Sequence, residues 1–220
     1  MPRRRRGEAA AWSAALSLIA AVAHSGPDPT DAEAAVLPRI LDAVPVEIAA
    51  GHLGQERAIL LLNDDPDAMT ADLVILAGDP DDRAGQAIAI SRGLVWAGRM
   101  AGQVPWLDVA ANGSLLVGSQ QTGIGRSPWE QTLILAERDG AVRVAGFRLV
   151  QWDRITASSA SCDWNLLTGE WQLEAQIQSE NGDPRTVTKQ GRRPERIAVQ
   201  DWPAQGEDPA QMCRIDLTAP

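Results

Sequence analysis

Four carboxylates in the middle of the chain lie close to tryptophans. Glu130 follows Trp129, Asp153 follows Trp152, Asp163 precedes Trp164, and Glu174 lies three residues beyond Trp171. Glycoside hydrolysis needs two carboxylates facing one cleft, one to protonate the leaving oxygen and one to attack or to activate water. Indole rings offer a broad apolar face with one N–H donor, and sugar sites use such faces. Alternation along a strand turns neighbouring side chains to opposite faces, so if the indoles fill a core the acids beside them stand in solvent. Nothing in the sequence pairs these acids with one another. No catalytic residue is therefore assigned. Trp129, Trp152, Trp164, Trp171 and Arg126 are the candidate ligand-binding residues, and a hydrolase using carboxylates such as Glu130 and Asp163 is the alternative.

Other chemistry is thinner. Asp64, Asp65 and Asp67, and then Asp79, Asp81 and Asp82, could gather a divalent cation, but their spacing is not that of a calcium loop with a later Glu, and Asp is a favoured turn residue. His24 and His52 form no metal pair or triad, and no G-x-S-x-G nucleophile turn is present. The glycines at 123–126 are too few for a phosphate loop and no Lys-Ser/Thr follows, which leaves Arg126 as a paired or solvated loop residue. Arg192, Arg193 and Arg196 form a basic cluster suited to a solvated face or to docking an acidic partner. No metal and no cofactor are implied.

The elements that must position these residues are hairpins. Segments of alternating apolar and polar residues at 104–110 and 114–117 flank Asn112-Gly113. Those at 130–137 and 142–152 flank Asp139-Gly140, and those at 162–167 and 171–177 flank Thr168-Gly169. Such dipeptides accept positive φ at little cost and close tight turns between antiparallel strands. Upstream, Thr30 and Glu33 are spaced as a capping box for a short helix at 31–37, which Pro38 ends or kinks. Pro45 pushes residues 46–50 toward extended structure. Apolar runs at 58–62 and 72–77 read as strands, the first as one buried on both faces, and 86–90 and 94–97 as weaker ones. Beyond residue 179 the chain turns polar and turn-rich, with short strands at 197–199 and 212–217.

The N-terminus reads as an export signal: Arg3 to Arg6, an apolar stretch at 9–22, and the small-x-small site Ala21-Val22-Ala23, with cleavage after Ala23. Cleavage removes four arginines and one glutamate, a net +3, and takes the formal charge from −9 to −12. Such a surface disfavours nucleic acid and, after cleavage, anionic membrane. Eight Trp, one Phe and no Tyr is a composition in which indoles must supply the aromatic packing. In an oxidising compartment Cys162 and Cys213 are expected to form one disulfide, closing a loop of about 50 residues that by chain entropy stabilises by about 4 kcal/mol.

The run Val46-Glu-Ile-Ala-Ala-Gly-His-Leu-Gly followed by Arg57-Ala-Ile-Leu-Leu-Leu resembles a degenerate FG-GAP (integrin-type propeller) strand pair. Together with Trp129-Glu-Gln-Thr-Leu, Asp139-Gly, Val144-Ala-Gly-Phe and Cys162-Asp-Trp-Asn-Leu-Leu-Thr-Gly, it resembles uncharacterised exported bacterial proteins over residues 46–170. The resemblance implies a fold and an envelope address, and no activity. Where the FG-GAP pattern has acidic calcium ligands this chain has His52, Leu53, Gly54, Gln55 and Glu56, so no calcium site is implied there.

The expected protein is mostly β, with antiparallel hairpins in a propeller-like or sandwich arrangement and a short N-terminal helix after a signal peptide. Its expected parts are the signal at 1–23, a polar leader at 24–34, one β domain at 35–200 and a disulfide-tethered tail at 201–220. The expected function is non-enzymatic binding of a protein or glycan partner in the bacterial envelope, in the periplasm or outside the cell.

Overall fold

The computed structural model describes residues 28–48, 55–65, 67–78, 86–179, 182–202 and 208–217. The expected signal segment, His24, His52 with its turn, and Asp79, Asp81 and Asp82 lie outside them.

The chain is mostly β. After α1 (Asp31–Val36) and a 3-10 turn (Leu37–Arg39), the strands run β1 (Ile40–Val46), β2 (Glu56–Leu62), β3 (Thr70–Leu76), β4 (Ala87–Trp96), β5 (Trp106–Val109), β6 (Leu115–Gln121), β7 (Trp129–Arg138), β8 (Ala141–Trp152), β9 (Ser159–Asn165), β10 (Glu170–Ser179) and β11 (Gly182–Arg192). They form two antiparallel meanders, β1 to β4 in one sheet and β5 to β11 in the other, and within each sheet every strand pairs with its neighbour in sequence.

Helix α1 buries no side chain and is capped at its start: the Thr30 N–H donates to Glu33 at 2.8 Å and the Glu33 N–H donates to Thr30 Oγ1 at 3.4 Å. This is the expected capping box, and it satisfies two otherwise unpaired donors. The three expected hairpins form. Asn112-Gly113 joins β5 to β6, Asp139-Gly140 joins β7 to β8 with φ of 56° and 74°, and Thr168-Gly169 joins β9 to β10 with Gly169 at φ 81°.

Five expectations are corrected. The short strands expected at 197–199 and 212–217 do not form: Ala198 makes one isolated bridge to Arg143, and 3-10 turns run Val199–Asp201 and Gln211–Cys213. Extended structure begins at Ile40, well before Pro45. That proline is tolerated inside β1 because β1 is an edge strand, where one face of the ladder needs no N–H. β2 is not buried on both faces: Ala58 and Leu60 are fully buried, Arg57 is exposed, and Ile59 and Leu61 are half-buried. The two weak strands at 86–90 and 94–97 are the single strand β4. Gly93, at φ 57°, bulges it, and the Asp72 carboxylate holds the bulge by accepting the Gly93 N–H at 2.8 Å and Arg92 Nη1 at 2.7 Å. The polar stretch after residue 179 contains β11, eleven residues long.

One buried cluster runs from Val46 to Cys213 and joins both sheets. Leu60, Leu73, Ile75 and Leu94 supply one side of it; Leu115, Val117, Leu133, Leu135, Phe147 and Leu149 supply the other. Polar groups stitch the two sheets where they meet. Asp42 accepts the Leu107 N–H at 2.7 Å, and Ser119 Oγ donates to the Trp96 carbonyl at 2.8 Å. The inner faces of β9 and β10 are covered by the C-terminal segment instead. Trp202 stacks on Phe147 with centroids 5.8 Å apart, and Ala210, Cys213 and Leu217 are buried. The expected disulfide, Cys162 to Cys213, pins this segment to β9 with Cα atoms 5.4 Å apart.

Candidate ligand-binding face

The opposite, outer face of the large sheet is polar at β9, β10 and β11. Register fixes which side chains stand together there. Arg148, Asp163, Gln172 and Gln190 form one row across β8 to β11; Glu170 on β10 pairs with Arg192 on β11, beside Asn165 of β9. All of these but Arg148 line an open groove of about 710 Å³. Its polar walls are Asp163, Asn165, Glu170, Gln172, Gln190 and Arg192. Trp171 and Gly191 also border it, although by alternation both positions turn to the inner face. On that inner face a Cβ at Gly191 would come within 2.7 Å of the Trp171 indole nitrogen, so the absence of a side chain is what lets the ring lie over β11.

Several groups in and beside the groove are lightly engaged. Arg148 Nε stands 3.7 Å from Asp163 Oδ1, with both side chains well exposed at 59% and 69%. Gln172 Nε2 donates to Glu174 at 2.6 Å, and Arg192 Nε donates to the Thr168 carbonyl at 3.1 Å. Asn165 Oδ1 accepts the N–H groups of Leu167 and Thr168 at 3.0 and 3.1 Å, which leaves its Nδ2 donors directed away from the turn.

The other candidates are placed as follows. Trp164 is 1% exposed, donates from Nε1 to the Arg193 carbonyl at 3.0 Å, and carries the Arg193 guanidinium 5.9 Å from its ring centroid. Trp129 is half-buried on the inner face and meets Trp96 edge-on at 5.7 Å. Trp152 is half-buried at the end of β8. Arg126 is committed to Asp153: Nε reaches Oδ1 and Oδ2 at 3.0 and 2.9 Å, and Nη2 reaches Oδ2 at 2.6 Å. The Arg126 hydrogen bonds, aided by the Ile155 and Thr156 N–H groups, outweigh burial and hold the Asp153 carboxyl down at about 2. The same pairing raises the Arg126 guanidinium.

Glu130 and Asp163 share the outer face. They are two strands and two residues apart, about 12 Å between backbones at ~4.8 Å per strand and ~3.4 Å per residue. Both stand on an open sheet surface that encloses neither. The turn acids are used locally: Asp64 pairs with Arg39, and Asp65 accepts the Asp67 N–H at 2.9 Å. Among the described residues no group of three or more His, Cys, Asp or Glu is placed to hold a metal ion, and no helix is long and apolar enough to cross a membrane.

Sequence reasoning missed Gln190 and Arg192 as groove residues because it missed β11. The signal was present in Thr186, Thr188, Gln190 and Arg192, which alternate along one polar face.

No protein-family model, curated protein or solved structure matches the chain.

Proposed function

We propose that the protein is an exported, non-catalytic binding protein that holds an envelope glycan along the outer face of β9 to β11. The observation that carries this reading is the cross-strand row Asp163, Gln172 and Gln190, flanked by Asn165, Glu170 and Arg192 in one open groove. Side-chain amides donate and accept, carboxylates accept, and guanidinium donates, a mixture that matches sugar hydroxyls, which do both. The row is spaced by sheet hydrogen bonding at ~4.8 Å per strand, so the groups are preorganised and little ordering cost falls on binding. An open groove also admits a chain longer than itself.

Export is supported by Arg3 to Arg6, the apolar stretch at 9–22 and the Cys162–Cys213 disulfide, a bond that persists in oxidising compartments. A periplasmic or secreted location follows from that reading.

The test uses the chain expressed with its own N-terminus in a bacterial host, followed by N-terminal sequencing and retention on peptidoglycan, capsule glycans and envelope extracts. Expected are a mature start at His24, retention on at least one glycan, and about tenfold weaker binding for Gln190→Ala, as one lost hydrogen bond to the ligand would give. Retention on none of them overturns the proposal. Release of new reducing ends from a bound glycan would replace it with the hydrolase reading.

A further inference from the structure

A second hollow adjoins the groove on the same face. It holds about 310 Å³, and its lining is mixed: Ile134, Ala136 and Ala145 supply an apolar part, and Asn112, Ser114 and Arg138 a polar one. The bulge in β8 makes it. β7 steps from Ile134 to Leu135 while β8 steps from Gly146 to Val144, so Ala145 is the extra residue. Gly146 has no side chain, and a Cβ there would lie 2.9 Å from Ile134 Cδ1. With Ala136, Ala145 and Gly146 all small, the sheet surface dips between longer neighbours. Leu167 stands on the rim, 43% exposed. Asp163 and Asn165 line both depressions, so one carboxylate and one amide stand between the groove and the apolar part of the hollow.

Resting on the glycan-binding reading above, we infer that the ligand is an N-acetylated glycan, its ring hydroxyls over the polar groove and an acetamido group crossing into the hollow. An acetamido substituent has three parts, and the boundary meets each. The Asp163 carboxylate only accepts, which suits the amide N–H. Asn165 has its Oδ1 engaged by Leu167 and Thr168, so its Nδ2 donors suit the amide carbonyl. The methyl then rests on Ala136, Ala145 and Ile134, where it leaves water. A hydroxyl in the same place would have its oxygen over methyl groups and would forgo part of its hydration. The site therefore discriminates by what the sugar carries beside the ring, while the groove itself accepts rings in general.

The experiment compares chito-oligosaccharides, which carry acetamido groups, with cello-oligosaccharides of equal length, which carry hydroxyls there and are also uncharged. Binding to the full chain is measured by calorimetry. The native protein is expected to bind the acetylated series about tenfold more tightly. Ala145→Leu, which fills the hollow, is expected to erase that preference while cello-oligosaccharide binding stays within about twofold. Gln190→Ala is expected to weaken both series alike. Should Ala145→Leu fail to fold, Leu167→Ser on the exposed rim provides the same reading, with a two- to threefold loss confined to the acetylated series. Equal affinity for the two series in the native protein overturns this inference and leaves the glycan reading standing. Binding of neither series, with retention on no other glycan, overturns both.

Discussion

At one end of the β8–β9 hairpin, Arg126 grips Asp153 through two nitrogens, and the carboxylate is buried and further held by two backbone N–H groups. Midway along the same two strands, Arg148 faces Asp163 across 3.7 Å with both side chains in water. The residue types are the same and the environments are opposite. Burial forces every lone pair of Asp153 to find a donor from the protein, so that pair closes a loop and can do nothing else. Exposure lets Asp163 exchange its partner for a ligand at small cost, because a solvated ion pair is worth little. Closed polar groups hold the fold, and open ones on a rigid sheet are free to recognise.

The largest way to break the closed side is to cut the disulfide. Cys162→Ala with Cys213→Ala is expected to lower unfolding free energy by about 4 kcal/mol, measured by denaturant titration, because a loop of 51-residue separation is no longer constrained when unfolded. Asp153→Asn is expected to follow, with a marked fall in Tm, since the Arg126 guanidinium loses its carboxylate. Arg126→Lys should fall less, keeping the charge and losing the fork. The native dependence on acid sharpens this. The folded carboxyl titrates near 2, below the unfolded value of about 4. The pair's contribution is therefore full above about pH 4 and is lost as pH falls toward 2. That limb of the stability profile should flatten in Asp153→Asn.

Trp164→Phe removes the bond to the Arg193 carbonyl and part of the ring, and is expected to cost about 1 kcal/mol. The smallest effect on stability belongs to the open side. Asp163→Asn should change it by less than about 0.5 kcal/mol. The same substitution should weaken glycan binding several-fold, and a calorimetric titration alongside the melt separates the two quantities. A Tm loss from Asp163→Asn as large as that from Asp153→Asn would abolish the distinction.

Much of the architecture was legible because local chemistry and burial agreed. Asp139-Gly140 names its own hairpin, and Leu133, Leu135, Val142 and Val144 alternate because one face of that hairpin is buried. Thr30 with Glu33 announced the helix, and two cysteines in a chain with an export-like start could hardly pair otherwise. β11 was hidden for a physical reason. Its outer face carries Thr186, Thr188, Gln190 and Arg192, and on its inner face only Val187 reaches the core, so no apolar alternation marks it. β4 was split by Gly93, whose bulge depends on Asp72 in another strand. The candidate site shared the fate of β11. Asp163 was legible as an exposed acid beside a core indole, but the row it joins exists only through the register of three strands. Trp171 drew notice by residue type, yet alternation turns its ring away from the groove.

β11 ends the large sheet, and an unpaired strand margin invites a second molecule to continue the ladder. Here Pro184 contributes no N–H, and Arg185, Lys189 and Arg192 would set like charges against each other if two copies met margin to margin. Those cations oppose continuation of the ladder by a second copy of the same strand.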